Sequence, residues 1–397
     1  MDDNHHIKKQ IKILYFQLFT WLGGGEYGIY YLVKNLDKSR FVPFVMFNKR
    51  GPMVNKIEEL GIETIFLKYD VAPMSQLLKP TSIWQNLKAS FMIRKFIIEN
   101  EINLVQCSDV LSLILLFPMM ITVRVPIVFS IIFTYKPWRA LLVNFFALFG
   151  IRKIVSLSKW ILDDLYSKTY GLRKKGELVY WAIDTNIFQL KTIEERENIR
   201  QRLGLPKDKK IVGFVGRFDV WKGHMTFIEA AKNIINARND TIFLIVGDAI
   251  TKEVAPPVYR YYKEVVKRVE EYKFDGKLLM WSHRDDVPDI MSCMDIFVCP
   301  SENEPFGLVI LEAMASGVPV IASDSGGPLE IIENGSDGFL FRTKNANSLE
   351  EALSICLDYP DKLTRLKQAA RQKVETKFTM TNYTQSMEKI YESVLTK

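Results

Sequence analysis

The sequence predicts an α/β chain built on two doubly wound parallel sheets, and three observations predict it. Short apolar strands alternate with helical stretches from residue 11 to about residue 181. A polar stretch at 184–208, containing Pro206, breaks that series. A second alternating series starts at Lys210. The 397 residues, 48% of them hydrophobic, suffice for two domains with cores of their own.

Taken in order, residues 11–19 (IKILYFQLF) are mostly apolar and read as a buried strand. The run leads to Gly23-Gly24-Gly25-Glu26, and an amphipathic helix follows to about Leu36. Strand, glycine turn and helix make a phosphate-type loop, although a lone glycine cluster has low specificity. Strands follow at 41–47 and 64–67. A helix over 83–100 carries Trp84 and Phe91 beside Lys88, Arg94 and Lys95. That mix suits packing on a sheet, the commoner case, or lying on a membrane surface. Strands at 103–107, 127–131 and 153–157, with helices between them (one over 141–149), complete the first series. The domain boundary is expected near 185–205, dividing the chain into 1–188, 189–375 and a terminal helical segment, 376–397.

In the second series, the strand at 210–215 leads to Arg217, and Lys222-Gly223 opens the next helix. Two cations five positions apart across a turn suit clamping a diphosphate, Arg217 through its planar fork and Lys222 as a point charge. The bland alternative is a pair of surface charges at a strand end. Strands at 242–246, 278–280 and 296–299 lead to residues 301–330, SENEPFGLVILEAMASGVPVIASDSGGPLE. Glu304 and Glu312 flank Pro305-Phe306-Gly307-Leu308 and an apolar run that reads as a buried helix. Pro305 suits a first helical turn, which places Glu304 just before the helix and Glu312 about a turn and a half inside it. The six steps from Phe306 to Glu312 then span roughly 9 Å. The N–H groups of that first turn favour an anion. A carboxylate at each end of such a site matches hydroxyl, phosphate, hydroxyl in line, the layout of a nucleoside diphosphate sugar. Taken alone, two glutamates at this spacing are more often solvated charges. Here a strand at 318–322, the turn Ser325-Gly326-Gly327 and a helix opening at Pro328 add a second phosphate-type unit. Beyond Phe341 the chain is mostly helical, ending in a separate amphipathic helix over 380–395.

The charge is unevenly placed. Residues 1–190 hold 24 Lys and Arg against 15 Asp and Glu, a net +9, whereas residues 191–397 hold 29 against 31, a net −2. The basic half expects an anionic partner, a membrane surface or a phosphorylated acceptor, or else plain solvated charge. No dense Lys/Arg stripe or recognised motif points to nucleic acid. Cys107, Cys293, Cys299 and Cys356 lack metal or disulfide spacing and read as reduced and structural. The start, MDDNHHIKKQ, is polar, and the apolar run 110–123 is short and interrupted by Pro118. The expected location is the cytoplasm, with peripheral contact at the inner face of the membrane. No Asp-x-Asp motif is present, and Asp285-Asp286 suits a helix start, so no metal or other cofactor is expected.

VGRFDVWKG, HRDDVP, PSENEPFGLVILEAMASGVPVIASDSGGPLE and NGSDGFLF, in this order, resemble the C-terminal half of glycosyltransferase family 4, retaining nucleotide-sugar transferases of GT-B architecture. The resemblance is specific over about 205–342 and weaker over 11–188. It implies two Rossmann-like domains facing a cleft, with the last helix crossing back onto the N-terminal domain. It implies that Arg217 and Lys222 bind the donor diphosphate, Glu312 the ribose and Glu304 the transferred sugar. Backbone of Phe306, Gly307 and Leu308 would contact sugar and phosphates, and backbone at His283-Arg284 the base. Gly23, Gly24 and Gly25 would close over the diphosphate. The reaction implied is metal-independent transfer, with retention, to a hydroxyl of a saccharide or lipid-linked acceptor. Arg217, Lys222 and helix N-termini would stabilise the leaving group. The chain departs from the family where a histidine often follows the fifth strand, here about Ile132. It departs again at Gln106-Cys107-Ser108-Asp109, and at Trp181-Ala182 in place of Asn-Gly. Asp109 suits a helix cap better than a substitute acceptor contact. The missing histidine keeps open a protein that binds nucleotide sugar without transfer. An epimerase would release an altered free sugar, and a phosphorylase would need a pyridoxal-binding lysine that is not evident.

Overall fold

The computed structural model describes residues 10–20, 24–77, 79–247 and 255–396. They form two compact units, one of the described residues up to Trp181 together with those from Met380 onward, the other of the described residues between Ala182 and Thr379.

The first unit runs β1 (Ile11–Gln17), α1 (Gly24–Asn35), β2 (Phe41–Phe47), α2 (Pro52–Glu58), β3 (Glu63–Phe66), α3 (Pro80–Glu99), β4 (Leu104–Cys107), α4 (Val110–Thr122), β5 (Ile127–Ile131), α5 (Pro137–Phe146), β6 (Ile151–Ser156), α6 (Lys159–Ser167) and β7 (Gly176–Leu178). The second runs α7 (Ile193–Arg202), β8 (Lys210–Val215), α8 (His224–Ala237), β9 (Thr241–Val246), α9 (Pro256–Tyr272), β10 (Leu278–Trp281), α10 (Val287–Cys293), β11 (Ile296–Cys299), α11 (Leu308–Ala315), β12 (Val320–Ser323), α12 (Pro328–Ile331), β13 (Phe339–Phe341), α13 (Ala346–Asp358) and α14 (Pro360–Lys377). The last helix, α15 (Met380–Leu395), belongs to the first unit.

Each unit is a Rossmann-like parallel sheet. The strand orders among the described residues are β3-β2-β1-β4-β5-β6-β7 and β10-β9-β8-β11-β12-β13. Every strand pair is parallel, with registers such as Ile11↔Phe41 and Lys210↔Thr241. A parallel sheet is covered on both faces, so its strands are apolar throughout. All of β9 is buried, as are Ile13 to Gln17 of β1. Phe214, Phe227, Phe243, Leu349 and Leu353 fill the core of the second unit. In both sheets the winding reverses beside the first strand, between β1 and β4 and between β8 and β11. A crevice opens at such a switch point, at the carboxyl ends of the strands.

The units divide at Trp181/Ala182, earlier than the polar stretch suggested. Ile183 donates to the Phe378 carbonyl at 3.1 Å and bridges Thr379, which ties both ends of the second unit together. Trp181 stays with the first unit, its ring 2.9 Å from where a Cβ on Gly28 would stand. A buried polar chain anchors α15. The Tyr15 and Tyr391 hydroxyls are 3.2 Å apart, Tyr391 donates to Gln106 Oε1, and Gln106 Nε2 donates to Ser130 Oγ at 3.0 Å. Gln106, one of the departures from the family pattern, therefore joins α15 to β4 and β5. Among the described residues no helix is long and apolar enough to cross a membrane.

Candidate active site

The site-forming edge of the second unit is made where the loops after β8 and β11 touch. After β8 the chain passes Arg217, makes a tight turn over Val220–Lys222 and enters α8 through Gly223, whose φ is 78°. A Cβ on Gly223 would lie 2.0 Å from the Pro300 carbonyl oxygen, so only glycine permits this approach. Glu302 donates to the Trp221 carbonyl at 2.6 Å. This contact brings Lys222 to Glu304, with Nζ 2.8 Å from Oε2 and the two side chains only 14% and 9% exposed. Lys222 also sits over the Trp221 ring, 4.2 Å from its centroid. Glu304 is fixed from behind, its carbonyl accepting from Gly327 at 2.7 Å.

Glu312 completes the group. Burial pushes its carboxyl up to about 7, and the nearby Lys222 charge pulls it part of the way back. Lys222 thus stands beside two carboxylates, Glu304 buried and Glu312 half-buried, an expensive arrangement that persists only where the charges are paired. The helix geometry differs from the sequence expectation. Helix α11 starts at Leu308, behind Gly307 at φ 106°, so Pro305 lies in a bend before the helix rather than in its first turn. Glu312 is accordingly one turn inside, about 6 Å from Leu308 along the axis. Ile310 and Leu311 both donate to the Gly307 carbonyl, which leaves the N–H groups of Gly307, Leu308 and Val309 outside the helical ladder. Phe306 is buried and packs edge-on against Phe378, 6.0 Å between centroids.

Three of the expected elements make contacts that residue types did not show. Arg217 is 59% exposed and pairs with Asp219 at 2.9 Å. Ser325-Gly326-Gly327 is not a phosphate loop opening a full helix. Helix α12 has only four residues, and Cβ atoms on Gly326 and Gly327 would stand 2.5 Å from the Glu304 carbonyl oxygen and 2.3 Å from the Phe306 Cα. Those glycines let two backbones touch. Asp286 stands at the start of α10, as expected, and its carboxylate takes both prongs of Arg284, at 2.7 and 2.6 Å.

His283 and Arg284 follow β10 and line an open pocket of about 520 Å³ formed by residues 280–286. Arg284 also lies over the Trp281 ring, at 5.1 Å. In the first unit, Gly24 and Gly25 form the start of α1 rather than a preceding loop, and Gly23 lies outside the described residues. A Cβ on Gly25 would be 2.8 Å from Ile132 Cδ1, so the position expected to hold histidine packs against the glycine turn. Asp109 caps α4, accepting from Ser112 N at 2.9 Å, and burial raises its carboxyl.

Sequence reasoning missed Asp219, Trp221 and His224. His224 is buried, with its ring 4.4 Å from Phe218 and 4.6 Å from Phe214. Neither ring nitrogen has a hydrogen-bond partner, and burial, helped by Lys222, lowers its pKa to about 3. Stacked on Phe218, it pins the loop that carries Arg217 and Lys222. The phenol of Tyr261 accepts from the backbone of Met225 and His224, so the start of α8 already has an acceptor within the protein. The signal for these residues was their place in FDVWKGH, between and beside the two cations. All four cysteines are buried and unpaired. Among the described residues no three His, Cys, Asp or Glu side chains gather as metal ligands.

The fold is that of GT-B glycosyltransferases. HepE of Anabaena, solved with UDP and glucose, superposes with a TM-score of 0.82 over 97% of this chain and 100% of its own, at 20% identity. A glycosyltransferase of Rickettsia africae gives 0.82 over 98% and 99%, at 22% identity. Residues 195–373 match the family model of glycosyl transferases group 1. Spore coat protein SA of Bacillus subtilis is 29% identical over 249 residues, 61% of this chain and 65% of that protein. The lipopolysaccharide core biosynthesis mannosyltransferase LpsB of Rhizobium meliloti is 27% identical over 220 residues, 55% of this chain and 61% of the relative. The match therefore spans less than two thirds of either relative. Curated relatives of this chain include glycosyltransferases of polysaccharide and glycolipid synthesis.

Proposed function

We propose that the protein is a retaining glycosyltransferase that moves a sugar from a nucleoside diphosphate sugar to a hydroxyl of a saccharide or lipid-linked acceptor, in the synthesis of a cell-surface polysaccharide or glycolipid. The observation that carries this reading is the buried Lys222–Glu304 pair beside Glu312, at the switch point between β8 and β11. Two carboxylates accept hydrogen bonds from hydroxyl groups, Glu304 from the transferred sugar and Glu312 from the ribose. Lys222, held by Glu304 and Trp221, meets the charge that develops on the departing diphosphate. Arg217 adds a two-pronged contact once it leaves Asp219, and the N–H groups at the start of α11 add fixed dipoles. The open pocket at 280–286 receives the base against the backbone of His283 and Arg284. HepE, on the same fold, was solved with UDP-glucose, which supports a nucleoside diphosphate sugar as the ligand class.

With these cations neutralising the leaving group, transfer needs no divalent metal. The N-terminal unit supplies peripheral contact with anionic membrane at the cytoplasmic face. A thermal-shift screen of nucleotide sugars identifies the donor, because a ligand of the folded state raises its stability by mass action. Release of nucleoside diphosphate is then followed with acceptor present and excess chelator added. Full activity in chelator is the expected result. Activity that vanishes on chelation and returns with magnesium or manganese overturns the leaving-group assignment.

A further inference from the structure

Helix α5 is apolar on both sides. Ala140, Val143 and Phe146 face inward and are buried. Trp138, Leu141, Phe145 and Leu148 are 48%, 54%, 43% and 77% exposed. Their spacing of three, four and three residues places them in one outward stripe. Phe149 extends it, 5.0 Å from Phe145 and 5.3 Å from Phe117 of α4. No charged residue occurs from Ala140 to Ile151. A helix that carries an exposed apolar stripe opposite its buried face is one that something covers.

The surrounding charge says what covers it. Between Asp109 and Asp163 the sequence has no carboxylate but six lysines and arginines. Of these, Arg124, Lys136 and Arg152 are exposed: Arg124 just after α4, Lys136 just before α5 and Arg152 just after the turn that follows it, while Arg139 lies over the Trp138 ring at 5.1 Å. Arg94 of α3 reaches the end of α4, donating to Thr122 Oγ1 at 3.1 Å. An apolar stripe rimmed by cations of one sign complements an anionic lipid surface. A second copy of the chain fits worse, because a two-fold contact would set this cationic rim against itself. At ten residues, about 15 Å, α5 lies on a bilayer and does not cross it.

We propose that α5 and the turn after it rest on an anionic lipid bilayer, with Trp138, Leu141, Phe145, Leu148 and Phe149 in the headgroup region and Arg124, Lys136 and Arg152 on lipid phosphates. This deepens the membrane clause of the proposed function and moves the contact from α3 to α5. The test is co-sedimentation of the full chain with phosphatidylcholine vesicles, with and without phosphatidylglycerol. The wild type sediments with the anionic vesicles alone. Leu148→Ser with Phe149→Ser weakens that binding by about tenfold or more, as inserted apolar groups are lost. Arg124→Gln with Arg152→Gln weakens it by about twentyfold, at roughly fivefold per cation. Both variants keep the wild-type thermal shift with nucleoside diphosphate, since neither touches the candidate active site. Wild-type chain that stays in solution with anionic vesicles leaves the face to a protein partner and overturns the proposal. So does equal binding to neutral vesicles, equal binding by both variants, or a wild-type dimer that Leu148→Ser with Phe149→Ser dissociates. Absence of any nucleotide-sugar shift, by contrast, overturns the proposed activity and leaves the lipid result standing.

Discussion

The two sheets share one winding, and each reverses beside its first strand, yet their switch points are furnished differently. Between β8 and β11 the chain pairs Lys222 with the buried Glu304 and sets the half-buried Glu312 near the same lysine. Between β1 and β4 it places Asp109 as a helix cap, Ile132 against Gly25, and Gln106 in a neutral chain with Tyr15, Tyr391 and Ser130. The topology supplies a crevice at both places, but ligand chemistry requires charges that folding holds against desolvation. In the second unit that is done by contact between loops, through Gly223 on Pro300 and Gly327 on Phe306. In the first, the polar groups are spent on holding helices.

The sharpest break of this comparison is at Glu304. Glu304→Gln should nearly abolish transfer while nucleoside diphosphate binding, followed by thermal shift, stays close to wild type. Glu312→Gln should weaken diphosphate binding instead. Equal loss of diphosphate affinity in both variants would show that the sugar and ribose roles are not divided between them in this way.

Lys222→Ala comes next, with a loss of about a hundredfold in turnover at saturating donor, or about 3 kcal/mol. It also leaves the Glu304 carboxylate buried without its partner, which should lower the melting temperature. Unchanged turnover on the folded protein would remove Lys222 from the mechanism.

Glu312 and His224 should give pH dependences of opposite slope. A carboxyl raised from 4.5 to about 7 binds its proton more tightly in the folded state. Its cost to stability is absent below the unfolded value and grows as the pH rises to about 7, reaching about 3 kcal/mol. An imidazole lowered from 6.5 to about 3 does the reverse. Its contribution is complete above pH 6.5 and is lost as the pH falls toward 3. Urea titrations across this range should show Glu312→Gln flattening the fall toward neutral pH and His224→Phe flattening the acid limb. A Glu312→Gln profile parallel to wild type would contradict the buried carboxyl.

The smallest effect belongs to the first unit. Gln106→Leu strips Tyr391 and Ser130 of their buried partner and should cost about 1–3 kcal/mol of stability. Nucleoside diphosphate affinity should not change. If it falls with stability intact, the two switch points are less distinct than their furnishing implies.

Much of this was legible in the sequence because it is written in local pattern. Alternating apolar strands and helices announced both sheets, and glycines at loop ends marked the carboxyl edge. Lys222 stood out as a cation across a turn from Arg217, and Glu304 and Glu312 as carboxylates at the two ends of an apolar run. What was misread depended on backbone geometry that residue types do not encode. Pro305 is compatible with a first helical turn, but Gly307 at φ 106° decides that α11 starts later. Gly326 and Gly327 look like a phosphate turn until the backbone they touch is known.

By itself, then, the sequence determined the two parallel sheets and the charges brought to the edge of the second, because period and hydrophobicity act over a few residues at a time. Tertiary structure alone decided which charges meet. Lys222 and Glu304 are 82 positions apart, and their contact exists only because the loop after β8 crosses the loop after β11. Arg217, five residues from Lys222, turns outward to Asp219 instead. The outward stripe of α5 is the converse case. Its apolar pattern is visible in the sequence, but only the packing of Ala140, Val143 and Phe146 against the protein shows that the other side has no cover.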